Sequence, residues 1–310
     1  MQDLKVYDTI VIGAGPAGLT SAIYLLRARK EVLILEKSSV GGGIASTPAI
    51  ENYPGYQRIS GEELADHMYN QVMNLGGELE VWEAQKIEEN GFDGSGKLVW
   101  KISTDGPDFY ARSIIIATGN TYRKTGLPRE EEFIGHGISF CVTCDGAFFK
   151  DQVVAVLGGG NSGVTNALEL SEIAKEVIVL QDLEDLTCEK VLKEKLLDKK
   201  NVKVFYNTKI KEFLGDTDLN GIKLLVNGKE EEIKVDGLFI SIGLIPATNF
   251  LRGFIDLNER NYVASGENCN TNKQGIFVAG DVRNKAYRQI TTANSDGTIA
   301  ALETEKYLKN

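Results

Sequence analysis

VYDTIVIGAGPAG, residues 6–18, sets a β-rich apolar run directly before three glycines in the spacing GxGxxG. LTSAIYLLRA (19–28) follows with the composition of a helix, and EVLILE (31–36) reads as a second buried strand. A strand, a glycine turn and a helix in that order form a βαβ unit whose turn lets a pyrophosphate approach the backbone at a helix N-terminus. Gly13, Gly15 and Gly18 supply the turn, with Pro16 and Ala17 between them. Glu36 ends the second strand, where an acid can accept a hydrogen bond from a ribose hydroxyl.

The arrangement recurs. VVAVLG (153–158) leads into Gly158-Gly159-Gly160-Asn161-Ser162-Gly163, the helix-like VTNALELSEIA (164–174) and the strand EVIVLQ (176–181). Two nucleotide-binding halves are therefore written into 310 residues, a length that suits two domains. KLVWKIS (97–103) and FYARSIIIATG (109–119) read as an antiparallel excursion that returns to a buried strand. Residues 201–206, 222–226 and 232–242 repeat that pattern after the second unit. GIFVAGD (275–281) is one more buried strand, and residues 291–309 predict a helix that packs through Ile299, Leu302 and Leu308. The boundaries fall near Gly119 and Gly243. They divide the chain into 1–118 with 247–310, and 119–246.

Composition narrows the class. With 42% hydrophobic and 25% charged residues the chain is globular. A net charge of −10 argues against nucleic acid as a partner, because phosphate-backbone binders concentrate Lys and Arg. No apolar run reaches the roughly 18–20 residues that cross a bilayer, and no cleavable leader is visible. The expectation is a cytoplasmic protein.

Four cysteines are too few for a secreted disulfide scaffold of this length. Cys141 and Cys144 form the close pair, in CVTCDG (141–146). A cysteine near a helix start has a lowered thiol pKa, and the thiolate is the form that attacks disulfides. Zinc is the competing reading. It usually takes four Cys or His ligands, whereas this chain has no second CxxC and two histidines, His67 and His136, so redox chemistry is favoured and no metal is expected. Asp145 can move the proton that accompanies thiol exchange, or it can simply cap a helix. His136, five residues before Cys141, is a weaker candidate base. Cys188 and Cys269 read as ordinary thiols.

GAGPAGL (13–19), IENYPG (50–55), IIIATG (114–119), CVTCDG (141–146), GLIPAT (243–248) and FVAGDVRNKAYRQ (277–289) run in an order that resembles the low-molecular-weight thioredoxin reductases over nearly the whole chain. The resemblance implies an α/β fold of two nested Rossmann-like domains (three-layer ββα), in a homodimer. An FAD domain made from both chain ends would enclose a central domain carrying the CxxC. FAD would then contact Gly13, Gly15, Pro16, Ala17, Gly18, Glu36, Lys37, Gly43, Ile44, Asn52, Thr118, Gly119, Asp281, Arg288, Gln289 and Ile290. Asp281 would hold the ribitol, and the Arg288-Gln289 region would lie along the isoalloxazine. The family often has Gln after the paired glycines, where this chain has Ile44. Cys144 would face the flavin, Cys141 would attack the disulfide of thioredoxin, and Asp145 would serve as the acid. The central domain of such enzymes rotates, which makes Gly119 and Gly243 hinge candidates.

One expected element is missing. Members that use NADPH carry HRRxxxR after the second unit's closing strand, where arginines grip the 2′-phosphate. Here the aligned residues are Gln181-Asp182-Leu183-Glu184-Asp185-Leu186-Thr187. Three acids would repel a phosphate dianion. Asp182 could instead pair with a ribose 2′-hydroxyl of NADH, or the second turn could be retained scaffold. The latter narrows the resemblance to ferredoxin-dependent flavin thioredoxin reductases and makes ferredoxin the expected donor. An acidic ferredoxin would need a basic patch, for which Arg27, Arg29 and Lys30, or Arg123, Lys124 and Arg129, are unremarkable options. The alternatives are an NADH- or NAD(P)H-dependent reductase and a flavin-binding redox sensor without turnover. A flavin-type ferredoxin–NADP reductase is disfavoured because it has no need of the CxxC.

Overall fold

The computed structural model describes residues 5–45, 47, 50–140 and 142–309, with Thr143 and Cys144 described by their backbone. The chain divides into two compact units, Met1–Thr121 with Pro246–Asn310, and Tyr122–Ile245. The sequence placed the crossings a few residues away, at 118/119 and 246/247. Two short crossing strands, Asn120–Tyr122 and Leu244–Pro246, pair with each other.

The first unit is built on a seven-stranded sheet. Its parallel part runs Glu78–Val81, Val32–Glu36, Val6–Ile12, Phe109–Ile116, with Ile276–Val278 added parallel to the last of these. Leu98–Thr104 and Ala84–Phe92 extend it antiparallel, which is the excursion expected from KLVWKIS and FYARSIIIATG. All five residues of Val32–Glu36 are buried because both faces of the sheet are covered, so its apolar run is continuous rather than alternating. The period of two survives in the packing. Val11, Ile34 and Ile115 face one core, with the helices Pro16–Arg27 and Ile290–Lys309; Ile10, Ile12, Leu33, Leu35, Ile114 and Ile116 face the other, with Trp100, Ile102 and Leu251.

Of the residues expected to pack from the helix Ile290–Lys309, Leu308 is buried and Ile299 packs against the core, but Leu302 does not. Leu302 is 51% exposed, and the buried stripe is Ala293, Asp296, Gly297, Ala300, Ala301, Thr304 and Leu308. Small residues rather than leucines line the contact because this helix approaches Pro16–Arg27 closely. A Cβ on Gly297 would lie 2.3 Å from the Ala17 carbonyl oxygen.

The second unit repeats the plan in a five-stranded parallel sheet ordered Val202–Phe205, Glu176–Leu180, Val153–Leu157, Gly237–Ile240, Ile138–Ser139. A three-stranded antiparallel meander, Thr208–Gly215, Leu219–Val226 and Lys229–Ile233, follows the second βαβ unit. The stretch 232–242 expected as one strand is split between two sheets. Lys229–Ile233 is an edge strand whose Lys and Glu side chains stay in water, and Gly237–Ile240 is fully buried. Among the described residues, no helix is long and apolar enough to cross a membrane.

Candidate functional site

At the first glycine turn, each glycine has a separate geometric reason. Gly13 has φ +110°, and a Cβ there would meet the Ala117 carbonyl oxygen at 2.4 Å. A Cβ on Gly18 would lie 1.9 Å from the Gly13 carbonyl oxygen, so the helix crosses its own strand at van der Waals contact. Gly15 is different. Its backbone is extended, and the nearest atom to a Cβ is 3.9 Å away, so the protein itself does not exclude a side chain. What a Cβ would fill is the space before the helix start, where Pro16 occupies the first turn and no side chain caps the end.

The first unit contains every residue expected to touch FAD. Glu36 is buried and accepts from the Ala14 N–H at 2.8 Å and the Ser38 N–H at 3.1 Å, leaving lone pairs on both oxygens. Lys37 beside it is exposed. The Gly41 N–H donates to Ala14 O at 2.9 Å and draws in the loop that carries Gly43, which is open on its Cβ side, and buried Ile44. Asn52 Nδ2 donates to Gln289 Oε1 at 3.3 Å, joining loop 50–59 to the start of the C-terminal helix at Ile290. Thr118 Oγ1 donates to Ala247 O at 2.9 Å, and Gly119 O accepts from the Ala247 N–H at 3.0 Å. Arg288 lies 4.1 Å above the Tyr262 ring, and its Nε reaches the Asp281 carbonyl at 3.4 Å.

Asp281 provides the test of fit. Its Oδ1 is buried with no hydrogen bond, although its side chain is 33% exposed. Lys285 Nζ stands 3.4 Å from this oxygen, an ion pair too long to use up the acceptor, so a ligand hydroxyl can still bond to it. Burial pushes the Asp281 carboxyl above its ordinary range, opposed by the charges of Lys285 and Arg288. The open Gly15 cradle and this available oxygen suit a ligand that is anionic at one end and rich in hydroxyls beside it. FAD has both.

The sequence reading missed the polar layer beneath Asp281. Asp296, Lys285 and Arg283 are 8%, 8% and 12% exposed at their side chains. The signal was present: Asp296 shares a helical stripe with Ala293, Gly297 and Ala300, and a charge on a small-residue stripe needs a partner.

The second turn has the same backbone. Gly158 has φ +122°, with a Cβ 2.4 Å from Ser241 O, and a Cβ on Gly163 would lie 2.0 Å from Gly158 O. Its surroundings are unlike those of the first. Gln181 stands at the strand end, buried, and its Nε2 donates to Asp185 O at 2.8 Å. Leu186 is buried beside Gly159, and the Thr187 N–H donates to Gly159 O at 2.9 Å. Asn161 at the helix start exchanges two bonds with Glu189: Glu189 N–H to Oδ1 at 2.8 Å, and Nδ2 to Glu189 Oε1 at 3.2 Å. Lys193 Nζ lies 2.5 and 2.6 Å from the two Asp185 oxygens, so this nearby cation is already neutralised. Asp182, Leu183 and Glu184 are exposed and, with Asn207, line an open hollow of about 460 Å³.

Of the redox pair, Cys141 lies outside the described residues. Cys144 is placed by its backbone in the short helix Val142–Asp145, near its start. Asp145 does not cap the following turn Gly146–Phe149. Its Oδ2 instead accepts from Ser139 Oγ at 2.6 Å, which orients the carboxylate. Ser139 was not singled out from the sequence. His136 is exposed and pairs with Asp218 at 3.2 Å, so it is engaged elsewhere. Cys188 is a half-buried free thiol and Cys269 a fully buried one. Of the basic residues considered for docking, Lys124 is held by Glu131 and Arg129 by Glu132.

Residues 7–297 match the pyridine nucleotide-disulphide oxidoreductase family. The thioredoxin reductase of Bacillus subtilis (strain 168) is 36% identical over 100% of this chain and 97% of its own. The crystal structure of Lactococcus lactis thioredoxin reductase in its FR conformation superposes with a TM-score of 0.91 at 36% identity, covering 98% of this chain and 99% of that one. A ferredoxin-flavin thioredoxin reductase from Clostridium acetobutylicum is 27% identical with a TM-score of 0.53, covering 99% and 100%. The chain belongs to the pyridine nucleotide-disulphide oxidoreductase family, in the branch of the low-molecular-weight thioredoxin reductases. It is an FAD flavoprotein and an oxidoreductase of the thioredoxin reductase type.

Proposed function

We propose that the chain reduces thioredoxin through Cys141 and Cys144, with reduced ferredoxin as the electron donor. The observation that carries the donor assignment is the loop Gln181–Thr187. Two unit charges about 4 Å apart interact by about 1 kcal/mol in water and about 4 kcal/mol near a protein surface. Where the clamp has arginines this chain has Asp182, Leu183 and Thr187, so three such attractions for a 2′-phosphate are lost, Asp182 and Glu184 add repulsion, and Lys193 is spent on Asp185. The likeness to the Clostridium acetobutylicum ferredoxin-flavin enzyme supports the same reading.

In this reading the residues from Gly13 to Gly18, with Glu36, Lys37, Gly43, Ile44 and Asn52, hold the nucleotide half of FAD. Thr118, Gly119, Asp281, Arg288, Gln289 and Ile290 hold the flavin half. Bound FAD supplies the electron transfer between a one-electron donor and a dithiol. Cys144 faces the flavin and Cys141 attacks the thioredoxin disulfide. Asp145, held by Ser139, keeps a proton acceptor at the pair. Gly119 (φ +62°) and Gly243 (φ +102°) flank the crossing strands, and neither has an atom within 4 Å of a Cβ, so their backbone conformation rather than crowding requires glycine. They are the hinge of a rotation that presents Cys141 to its substrate. The chain works as a homodimer.

NADH is a second reading, favoured by the exposed Asp182 carboxylate at the edge of the hollow beside the second turn. Anaerobic titration of the oxidised protein with NADPH, NADH and reduced ferredoxin in turn, followed by loss of oxidised-flavin absorbance, separates these donors. Ferredoxin is expected to bleach the flavin and NADPH to leave it oxidised; rapid bleaching by NADPH sinks the assignment. Cys141→Ser is expected to lower thioredoxin reduction at least about 1,000-fold while FAD stays bound.

A further inference from the structure

We infer that Lys285 is a positioning residue for the flavin site: it spans Asp296 and Asp281, and so holds the Asp281 carboxylate ionised and aimed at FAD. Lys285 Nζ lies 2.9 Å from Asp296 Oδ2 and 3.2 Å from Thr292 Oγ1, both on the helix Ile290–Lys309. From the same position it lies 3.4 Å from Asp281 Oδ1, on the turn four residues earlier. An ammonium group has three donors and can serve these three oxygens together.

Asp296 anchors the arrangement. The Gly280 N–H donates to its Oδ2 at 3.1 Å, and Arg283 Nε stands 3.2 Å from the same oxygen. Arg283 is in turn tied to Gly266 O at 2.8 Å and lies 3.7 Å from Cys269 Sγ. The groups that face Asp281 are therefore Lys285 and Arg288 from its own segment and Asp296 from the helix, with Arg283 and Cys269 behind Asp296. Two acids, Asp281 and Asp296, thus meet three cations, Lys285, Arg283 and Arg288, in a cluster nearly dry at Lys285 and Asp296.

The excess of positive charge around Asp281 favours its ionised form. Burial raises the Asp281 pKa and so favours the protonated form, which would be a poorer acceptor for a ribitol hydroxyl. Lys285 opposes that protonation by charge, and its distance of 3.4 Å leaves the oxygen free to accept from a ligand. The glycine turn fixes the nucleotide end of the cofactor, and this cluster sets the charge at the other end.

The inference rests on Asp281 being an FAD ligand, and the experiment tests the two separately. Flavin release on dilution of the holoprotein is read by recovery of free-flavin fluorescence from pH 5 to 8, with circular dichroism as the control for folding. Lys285→Gln, which keeps hydrogen bonds to Thr292 and Asp296, is expected to weaken FAD retention at least about 10-fold at pH 6, with the loss shrinking as pH rises and Asp281 re-ionises. Lys285→Arg is expected to restore the wild-type profile. Asp281→Asn is expected to weaken retention independently of pH, and adding Lys285→Gln to it should cost little more. Wild-type retention and pH profile in folded Lys285→Gln overturns the inference. So does a loss in Lys285→Gln that is independent of pH and adds in full to that of Asp281→Asn. Wild-type retention in Asp281→Asn instead overturns the reading of Asp281 as a ligand.

Discussion

The two glycine turns of this chain share a backbone and differ in what stands in front of it. Gly13 and Gly158 have φ of +110° and +122°, and Gly18 and Gly163 bring helix and strand to the same contact. Neither helix start has a side-chain cap, but before the first turn stand Pro16 and the carboxylate of Glu36. Before the second, Asn161 is bound to Glu189, Thr187 to Gly159, and Gln181 folds back on Asp185. A GxGxxG spacing therefore reports the crossing of a strand by a helix. Whether the crossing serves a ligand depends on the residues at the strand end and on the loop that follows.

The sharpest way to break the comparison is to place a methyl group in each turn. Gly15 and Gly160 are both extended and open, with nearest atoms at 3.9 and 3.7 Å from a Cβ, so alanine fits at either and costs about 1 kcal/mol as a poorer N-cap, equally in both. Gly15→Ala is expected to weaken FAD binding by about 10- to 100-fold through the lost close approach to pyrophosphate. Gly160→Ala should leave FAD content and ferredoxin-driven turnover within about 2-fold. Equal losses of flavin from both variants, measured by fluorescence on dilution, would erase the distinction.

A smaller effect is expected from rebuilding the second turn. Gln181→His with Asp182→Arg, Leu183→Arg and Thr187→Arg restores the basic pattern at the aligned positions and should raise the rate of flavin reduction by NADPH about 10-fold or more. Stopped-flow absorbance measures it. No gain would mean that the loop's fold, and not its charge, excludes the nucleotide.

The smallest effect distinguishes the two units by their unpaired thiols. Burial pushes the Cys269 thiol up to about 11, whereas an unfolded thiol titrates near 8.5–9. Because the folded value is the higher one, this contribution is fully present below about pH 9 and is lost as pH rises through about 11. Two units correspond to at most about 3 kcal/mol. Urea melts at pH 8 and 11 should show part of that loss, reduced in Cys269→Ala. Half-buried Cys188, in the loop over the second turn, should react with iodoacetamide faster than Cys269 at pH 8; the reverse order would contradict the burial of Cys269.

Several elements were legible because they depend on nearest neighbours in sequence. Both βαβ units, the return from Leu98–Thr104 to Phe109–Ile116 and the closeness of Cys144 to a helix start follow from local periodicity and glycine spacing. Leu302 was misjudged because a small-residue stripe, not the leucines, meets the neighbouring helix. Asp145 was ambiguous because capping and proton transfer use the same residue type; in the fold it makes no cap bond to the following turn and accepts from Ser139, on a separate strand.

The sequence by itself determined two dinucleotide-type turns, a close cysteine pair and an acidic stretch where a phosphate clamp is expected. These are properties of residue type and spacing, and they hold wherever the segments lie. Tertiary structure decided what each turn faces: an open Gly15 with the buried Glu36 carboxylate bonded to the Ala14 N–H in one unit, and a loop folded onto the glycines in the other. It also decided that Asp296, Lys285 and Arg283 meet beneath Asp281. Such clusters form between segments distant in the chain, and their energies depend on burial and separations of a few ångströms that no local pattern encodes.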